Sequence, residues 1–428
     1  MILLGIIFVV TIILGVPIAF SLGLCSTVFL LLDPNFPILV IPHRMFNGMN
    51  SFPLLAVPFF ILAGELMVPS GILPSLIRFA TALVGKIRGG LAHVVILVSM
   101  IFAGVTGAAV AEAAALSKIM IPTMEADGYD KDFSSAVVAA SAVMGPIIPP
   151  SIAMVIYALA AGGSVSIGGL FLAGVIPGVL IGLGMMVMVY YICYKKRAHK
   201  KEGRADFREI FVSLKGAYLA LIMPVIILGG ILSGVFTATE SAAVASVYAF
   251  IVGFFVTRQL KLKDLPQIMV NTGIVTSVVM LLMATCSITT WLLTVYQLPG
   301  KISSLIFSIS HSPMVFFMLV MALLMIVGCL LESIAALVML VPIFAPIAAQ
   351  FGINPLHFGF AFVMNLMIGL ITPPVGVVLF TVCGIVNISL ERLVKSVWPF
   401  VIWQFIVLLL VVFLPDVAMF IPRLFGIR

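Results

Sequence analysis

The stretch Gly145-Pro-Ile-Ile-Pro-Pro150 interrupts one apolar segment, and Gly369-Leu-Ile-Thr-Pro-Pro374 interrupts a second one. Proline has no backbone N–H and its ring clashes with the preceding turn of a helix, so each stretch predicts a broken helix. A break leaves carbonyl groups of the preceding turn without partners. Inside a membrane such groups are costly unless something binds them, although a plain proline kink repaired by water or hydroxyl groups is the alternative for either break alone. Two breaks with matching patterns favour binding sites.

The composition indicates a membrane protein. Of the 428 residues, 63% are hydrophobic and only 9% are charged. A bilayer core needs about 20 apolar residues per helix, which leaves room for about ten spans and little for a soluble domain. The formal net charge of +7 does not point to nucleic acid, because the basic residues lie in short loops between apolar segments. Met1 leads into apolar sequence without a basic region or a cleavage site, so we expect a retained span there.

Hydropathy divides the chain into candidate spans and two longer segments. The spans lie at about 2–32, 53–69, 133–160, 168–194, 215–234, 238–257, 267–297, 356–385 and 390–414. The longer segments, 91–124 and 312–350, can each hold two legs and carry a glycine-rich or polar interruption, so they predict helical hairpins. The double-proline breaks fall within 133–160 and 356–385. The prediction is an all-α polytopic membrane protein with two hairpins and two broken helices.

The hairpins and broken helices belong to an internal repeat. A shift of 224 residues places Gly104 on Gly328, Pro122 on Pro346, Gly128 on Gly352, Gly145 on Gly369 and Pro149-Pro150 on Pro373-Pro374. Chance is the alternative, since the chain holds 36 Gly and 25 Pro. Order, spacing and apolar context agree together, which favours a true repeat.

Basic residues predict the orientation of the repeats. The cytoplasmic loops are expected where Lys and Arg cluster, at Lys86 and Arg88, at Lys195 to Arg208, and at Arg258, Lys261 and Lys263. The segments 161–167 and 235–239 hold no Lys or Arg and are expected to face outward. With these markers, five crossings separate the two hairpins. An odd number inverts the second repeat relative to the first, as in many secondary transporters.

Each break is expected to present two helix ends at one depth. The first half-helix ends with the negative end of its dipole, which suits a sodium ion, and the second half begins with the positive end, which suits a carboxylate. Ser151 follows Pro150 and is expected to cap the second half and to offer its hydroxyl to an anion. Thr372 lies in the matching region of the other repeat and is expected to lend an oxygen to a cation.

The hairpin tips are the expected partners of the breaks. In Gly104-Val105-Thr106-Gly107-Ala108 the small side chains leave the backbone and the Thr106 hydroxyl open to a ligand. The segment Gly328 to Ser333 is expected to do the same from the opposite side. Close helix packing through the neighbouring glycine and alanine residues is the alternative.

Charged residues inside apolar segments are candidates for functional sites. They are Glu65, Glu112, Lys118 and Glu332. A plainer reading is that Glu65 and Lys118 reach the membrane interface and that Glu112 caps or pairs within its hairpin. The five histidines show no metal-ligand spacing, and the chain has no G-x-x-x-x-G-K-[ST] loop, so we do not expect ATP-driven transport. No span offers two catalytic Asp residues or a Ser/His pair at helical spacing, so an intramembrane enzyme is not expected.

Four stretches carry a resemblance to a known family. In chain order they are Ser51-Phe-Pro-Leu-Leu-Ala-Val-Pro-Phe-Phe-Ile-Leu-Ala-Gly-Glu-Leu66, Gly145-Pro-Ile-Ile-Pro-Pro-Ser151, Gly234-Val-Phe-Thr-Ala-Thr-Glu-Ser-Ala-Ala-Val-Ala-Ser-Val-Tyr248 and Gly369-Leu-Ile-Thr-Pro-Pro-Val-Gly376. Over essentially the whole chain the sequence resembles the large membrane subunit of tripartite ATP-independent periplasmic (TRAP) transporters. Ala238 stands where the family often has Pro in its Thr-x-Thr-Glu motif, a departure expected to affect only local loop shape.

The resemblance implies a mechanism and partners. The mechanism is that of an elevator of the ion-transporter-superfamily type, in which hairpins and broken helices carry sodium ions and substrate past a static scaffold. The implied partners are a small four-helix membrane subunit and a soluble periplasmic substrate-binding protein, together with membrane lipid and without nucleic acid. The implied location is the bacterial cell inner membrane, with multiple spans.

The resemblance also implies ligands. Family members carry C4-dicarboxylates, sialic acid, other sugar acids and keto acids, and this chain is similar to the sialic-acid branch in its unfused form. Substrate is expected beside Val105, Thr106, Gly107 and Ser151. The residues implied for sodium are Thr106, Gly145, Ile148 and Pro149 in the first repeat and Gly328, Gly369 and Thr372 in the second.

These predictions divide the chain into five parts. They are N-terminal scaffold helices with an arm at 1–90, the first transport repeat at 91–194, a basic loop with central scaffold helices and a second arm at 195–311, the second, inverted transport repeat at 312–414 and a tail at 415–428. The alternatives are a TRAP permease for C4-dicarboxylates or other organic acids, a sodium/dicarboxylate symporter that needs no binding protein, and a passive channel.

Overall fold

The computed structural model describes residues 2–33, 35–195 and 207–427, and α-helices dominate this part of the chain. Short 3-10 turns at Phe52–Leu55 and Leu262–Asp264 and a π turn at Val252–Val256 complete the regular structure. The helices are α1 (Ile2–Ile13), α2 (Ile18–Leu32), α3 (Val40–Met49), α4 (Ala56–Met67), α5 (Ile72–Val84), α6 (Gly90–Thr106), α7 (Ala109–Ala126), α8 (Lys131–Ala142), α9 (Ile152–Ala160), α10 (Ile167–Lys195), α11 (Phe207–Leu232), α12 (Ala238–Ile251), α13 (Leu265–Val295), α14 (Leu298–Ile309), α15 (Pro313–Leu330), α16 (Ser333–Gln350), α17 (Pro355–Gly369), α18 (Val377–Val386), α19 (Leu390–Phe413) and α20 (Asp416–Leu424).

The predicted hairpins and broken helices are present. Helices α6 and α7 form the first hairpin and α15 and α16 the second, while α8 with α9 and α17 with α18 are the halves of the two broken helices. In both hairpins the second leg carries the aligned proline, Pro122 or Pro346. Helices α6 and α15 also end 224 residues apart, at Thr106 and Leu330, so the repeat offset extends to the helix ends.

The two repeats contact each other reciprocally. Helix α7 packs on α18 of the other repeat, and α16, which corresponds to α7, packs on α9, which corresponds to α18. The helices that follow the broken helices do the same, since α19 packs on α8 and α10 packs on α17. A reciprocal pattern of this kind is the mark of a two-fold relation between equivalent units. The repeats are thus one interlocked body and not two separate domains.

The helix order between the hairpins matches the predicted crossings. Within the described ranges, seven helices are long and apolar enough to span a membrane, or eight if the pair Val40–Met49 and Phe52–Met67, bent by 61°, counts as one span. The broken helix α8/α9, the four long apolar helices α10, α11, α12 and α13, and the short helix α14 lie between the hairpins. Most of the basic run predicted to face the cytoplasm, 196–206, lies outside the described residues.

The N-terminal prediction of a single span over 2–32 is wrong. Helix α1 ends at Ile13 and α2 begins at Ile18, because Gly15 is left-handed with φ +79° and Pro17 cannot donate a helical hydrogen bond. A buried hydrogen bond of 2.8 Å between the hydroxyls of Ser26 and Thr289 joins α2 to α13. Beyond the end of α2, the phenol of Tyr296 donates to the carboxylate of Asp33, and this bond lowers the pKa of Asp33.

Four further helices lie outside the predicted elements. These are α3, α5, α14 and α20. Each has nine to thirteen residues, with polar residues among the apolar ones. The expected tail at 415–428 therefore contains a helix, and α20 packs on α10. A search for runs of about 20 apolar residues misses such elements, because a short amphipathic helix does not need to cross the bilayer.

The central helices pack beside the repeats. Helix α12 packs closely on α4, where the Ser246 hydroxyl donates to the carbonyl oxygen of Phe59 at 2.6 Å, and α11 packs on α5. Helices α4 and α11 pack on α6 of the first repeat, and α4 also packs on α9. Helix α13 packs on α16 of the second repeat. The two tips and the two breaks described below lie in this body of helices.

Candidate functional site

The first break leaves a row of free backbone carbonyls. Helix α8 ends at Ala142, tight turns fill 143–150, and α9 begins at Ile152. Among the described residues, the carbonyl oxygens of Gly145, Ile148 and Pro149 accept no hydrogen bond. All three belong to residues predicted as sodium ligands. A cluster of unpaired carbonyl oxygens in a buried place suits a bound cation.

The tip of the first hairpin lies directly on this break. Gly107 has φ +59°, and a Cβ atom on it would lie 2.8 Å from the carbonyl oxygen of Pro150 and 3.5 Å from the Cα of Ser151. A Cβ atom on Gly145 would lie 3.5 Å from the carbonyl carbon of Ala108. The structure thus brings Gly107 and Ser151, predicted to touch substrate, into one place with Gly145, predicted to bind sodium.

Ser151 caps α9 as predicted. Its Oγ accepts a hydrogen bond from the backbone N–H of Met154 at 3.3 Å and donates one to the carbonyl oxygen of Pro146 at 2.6 Å, and the residue is fully buried. The hydroxyl hydrogen is therefore used inside the break. An anion at this place would meet the positive end of α9, with Ser151 fixing the shape of the turn.

The threonine hydroxyls point their hydrogens away from the breaks. Thr106 Oγ1 donates to the carbonyl oxygen of Phe102 at 3.4 Å, and Thr372 Oγ1 donates to that of Ile368 at 2.8 Å. Each hydroxyl oxygen keeps lone pairs for another partner, so both threonines are suited to a cation. The carbonyl oxygens of Val105 and Thr106 lie near α4, where a Cβ atom on Gly64 would be 3.6 Å from the Thr106 oxygen.

The second hairpin and second break are also in direct contact. A Cβ atom on Gly369 would lie 2.5 Å from the carbonyl carbon of Gly328. The backbone N–H of Gly376 donates to the carbonyl oxygen of Cys329 at 3.4 Å, which ties the tip to the break. The Gly369 carbonyl accepts from the N–H of Thr372 at 3.0 Å, so one of its two lone pairs is used, whereas the Gly328 carbonyl accepts no hydrogen bond within the described part of the chain.

The breaks match in detail. The double-proline peptide bond is cis in both, at Pro149-Pro150 and at Pro373-Pro374. Each break contacts the tip of the hairpin in its own repeat, and the second leg of each hairpin reaches the broken helix of the other repeat. Two similar concave backbone sites therefore lie in one interlocked body.

Glu112 adds a buried acidic side chain to the first site. Its side chain is fully buried, and its Oε2 would lie 2.7 Å from a Cβ atom on Gly145. The hydroxyls of Ser99 and Thr106 lie beside the carboxylate, yet neither Glu112 oxygen has a hydrogen-bond partner of acceptable geometry among the described residues. The 224-residue shift puts Ala336 in the matching position. Glu112 is thus a buried, unpaired acid aimed at the first break.

Of the other charged candidates, Glu332 and Glu65 have structural roles. Glu332 caps α16 by accepting from the N–H of Ala335 at 3.0 Å, and Glu65 accepts from the amide of Asn271 at 3.2 Å, which joins α4 to α13. Lys118 is exposed on α7. Among residues 2–33, 35–195 and 207–427, no group of three or more His, Cys, Asp and Glu side chains could hold a metal ion.

A pair of buried polar residues is missed when prolines and glycines alone are considered. The 224-residue shift places Ser141 on Asn365, and both are fully buried one turn before their breaks. The Asn365 amide nitrogen donates to the carbonyl oxygen of Met321 at 2.8 Å, while its Oδ1 and the Ser141 Oγ have no partner in the described residues. The repeat offset is the signal that could have identified this pair.

The sequence comparisons with known proteins all indicate one family of transporters. Residues 5–417 match the family described as "Tripartite ATP-independent periplasmic transporter, DctM component". The chain is 42% identical over 411 residues to the sialic acid TRAP transporter large permease protein SiaM of Vibrio cholerae serotype O1, covering 96% of each chain. It is 38% identical over 406 residues to the C4-dicarboxylate TRAP transporter large permease protein DctM of Pseudomonas aeruginosa, covering 95% of this chain and 94% of that one.

A solved structure shares the fold. The efflux pump MtrF of Neisseria gonorrhoeae superposes with a TM-score of 0.63 at 14% identity, over 91% of this chain and 85% of that chain. The two relatives named above, matched along nearly their full length, are transporter permeases and not enzymes. The chain is a multi-pass protein of the bacterial inner membrane and belongs to the DctM family, the large permease subunits of TRAP transporters.

Proposed function

We propose that this permease carries out sodium-driven uptake of a carboxylate-bearing solute, with sialic acid (N-acetylneuraminate) as the first candidate. The observation that carries the proposal is the pair of matching breaks, each with a hairpin tip seated on its backbone. Discontinuous helices at corresponding positions of two repeats are the usual sites of ions and substrate in secondary transporters. Their two kinds of helix end suit a cation and an anion at the same depth.

Sodium is proposed to bind at both breaks. In the first repeat the ligands are the carbonyl oxygens of Gly145, Ile148 and Pro149 with the Thr106 hydroxyl, and Glu112 supplies a negative charge beside them. In the second repeat they are the carbonyl oxygens of Gly328 and Gly369 with the Thr372 hydroxyl. Support comes from the carbonyls without hydrogen bonds and from the two threonine hydroxyls whose hydrogens are directed back into their helices.

The substrate is proposed to lie at the first tip, near Val105, Thr106, Gly107 and Ser151. The positive end of α9 offers a place for a carboxylate, and the bound sodium ions offset the charge that the acid brings into the membrane. SiaM, at 42% identity, favours sialic acid. DctM of P. aeruginosa, at 38%, keeps a C4-dicarboxylate as the second candidate.

An elevator movement is proposed to carry the loaded site across the membrane. The moving block consists of the two interlocked repeats, and the scaffold consists of α4, α5, α11, α12 and α13. Contacts between the two bodies include small residues, such as Gly64 of α4 near the carbonyl oxygen of Thr106. Small residues allow close approach without deep interdigitation, which favours sliding. The partners proposed are a small four-helix membrane subunit and a periplasmic binding protein that delivers the acid.

Uptake into proteoliposomes tests this function. The chain is reconstituted with the small membrane subunit, and radiolabelled N-acetylneuraminate is supplied with the binding protein outside. We expect uptake only with an inward sodium gradient and only with the binding protein present. Equal rates with potassium replacing external sodium contradict sodium coupling, and full uptake without the binding protein favours a stand-alone symporter. Uptake of radiolabelled succinate with a succinate-binding protein, but none of radiolabelled N-acetylneuraminate, would assign the C4-dicarboxylate.

A further inference from the structure

A polar cavity lies apart from the tips and the breaks. It has a volume of about 490 Å³ and opens between helices α3 and α13 on one side and α9 and α16 on the other. Leu159 and Ala160 at the end of α9 border it, whereas Ser151 caps the opposite end of that helix. At ~1.5 Å per residue the length of α9 separates the two by roughly 13 Å. The cavity is therefore distinct from the proposed sodium and substrate sites.

The two walls of the cavity differ in character. The residues that α9 and α16 contribute are all apolar, namely Leu159, Ala160, Val338 and Pro342. Helix α13 contributes Ser287, Thr290 and Thr294, which share one face of the helix because they are three and four residues apart. Helix α3 adds the amide of Asn47. The hydrogen-bonding side chains thus stand on the side of α3 and α13.

Arg44 puts an unbalanced positive charge on this polar wall. Its guanidinium carbon lies 5.0 Å from the centroid of the Trp291 ring, so the aromatic face holds the group in place. It is the only charged residue among those that line the cavity, and within the described part of the chain it forms no ion pair. A guanidinium presents donors in a planar fork that matches a carboxylate, and a low-dielectric cleft strengthens its field.

The location gives the cavity a place on the transport path. The end of α9 leads into 161–167, which holds no Lys or Arg and is expected to face outward. An acid arriving from outside would meet the cavity before it meets the first hairpin tip. Because α13 of its polar wall belongs to the proposed scaffold and its apolar wall belongs to the proposed moving block, the cavity would change shape as the block moves.

We propose that this cavity is a receiving site for the carboxylate of a hydroxylated organic acid, in which Arg44 binds the carboxylate and the hydroxyls of α13 bind the rest of the solute. The site rests on the proposed function, since it supplies the acid to the block that carries sodium. It governs capture of the acid and leaves sodium binding unchanged.

Charge-selective labelling tests the cavity without any assumption about substrate. Thr294 lines the cavity and is exposed, so Thr294→Cys gives a reporter thiol, with the unsubstituted chain and its five cysteines as background. Rates are compared for an anionic and a cationic methanethiosulfonate reagent. We expect Arg44→Gln to lower the preference for the anionic reagent on the order of tenfold. Arg78→Gln, an exposed arginine of α5 outside the cavity, is the control and should change nothing.

Uptake tests the role in capture. For N-acetylneuraminate, Arg44→Gln should raise KM on the order of tenfold, with Arg44→Lys in between because an ammonium keeps the charge but loses the planar fork. The sodium concentration for half-maximal uptake should stay as it was. An unchanged labelling preference in Arg44→Gln overturns the anion site, and a lost preference with unchanged KM overturns its part in capture. If sodium coupling or the chosen acid is wrong, the wild-type uptake controls fail while the labelling arm still reports on the cavity.

Discussion

Gly107 and Pro150 are in contact through backbone alone: a Cβ atom on Gly107 would lie 2.8 Å from the Pro150 carbonyl oxygen. Gly107 is also left-handed, with φ +59°, as it closes the turn between α6 and α7. Two independent requirements for glycine therefore coincide at one residue. The distance between the hairpin tip and the break is set by the absence of a side chain there.

Replacing Gly107 by alanine should separate these two requirements. Gly128 is the matched control, because it has φ +86° and no atom lies within 4 Å of the place that a Cβ atom would take. Gly128→Ala should cost about 1 kcal/mol from the left-handed backbone alone. Gly107→Ala should cost roughly 1–3 kcal/mol more, since the added methyl presses on backbone that cannot rotate away. Thermal unfolding in detergent measures the difference, and equal shifts for the two variants would show that the tip does not rest on the break.

The breaks and hairpins could be predicted because their signals are local. A double proline cannot continue a helix in any environment, and the aligned glycines repeat at one offset, so Gly145 and Gly369 could be placed before any contact was known. The bend after Ile13 carries a similar signal in Gly15 and Pro17. It is easily overlooked because the apolar run around it is long enough to be taken for one span.

Other features depend on tertiary contacts that no local pattern specifies. Glu112 could be recognised as an acid in an apolar segment, but its direction toward Gly145 follows from how α7 packs on α8. Arg44 lies on a short helix that hydropathy passes over, and its partner Trp291 is far away along the chain. The hydroxyl hydrogen of Ser151 points to Pro146 because the turn folds back on itself, which its position after two prolines does not reveal.

Ser151→Ala should lower uptake more than its loss of stability explains. The change removes the cap of α9 and the bond to the Pro146 carbonyl, which should cost about 1 kcal/mol. Ser166→Ala is the control, because the Ser166 Oγ accepts from the N–H of Gly169 at 3.3 Å in a comparable cap away from the breaks. The two variants should unfold at similar temperatures, but only Ser151→Ala should raise KM for the acid. Unchanged uptake kinetics in Ser151→Ala would count against placing the substrate at this break.

Glu112→Gln should weaken sodium dependence without harming the fold. The carboxyl group has no hydrogen-bond partner to lose among the described residues, and burying an unpaired acid is itself costly, so the amide of the same shape should be tolerated. If sodium binds beside Gly145, loss of the neighbouring charge should raise the sodium concentration for half-maximal uptake on the order of tenfold. Glu65→Gln, in a half-buried pair with Asn271 away from the breaks, should leave that concentration as it is. The same sodium dependence in Glu112→Gln and wild type would separate this acid from the ion site.

Gly369→Ala should be the most damaging of the glycine changes at the breaks. Its Cβ atom would lie 2.5 Å from the Gly328 carbonyl carbon and 2.7 Å from the Gly328 Cα and oxygen, all of them backbone atoms, so α15 must move away from α17. At Gly145 the nearest atom is the end of the Glu112 side chain, which can turn aside, so Gly145→Ala should cost less stability. Gly384 in α18 has open space around it, and Gly384→Ala should raise stability by about 0.5–1 kcal/mol, as expected for a helical glycine. Thermal unfolding should therefore shift in opposite directions for Gly369→Ala and Gly384→Ala, with sodium-driven uptake lost only in the former. If Gly369→Ala unfolded at or above the wild-type temperature, the second hairpin would not be held by this backbone contact, and the proposed second sodium site would lose its support.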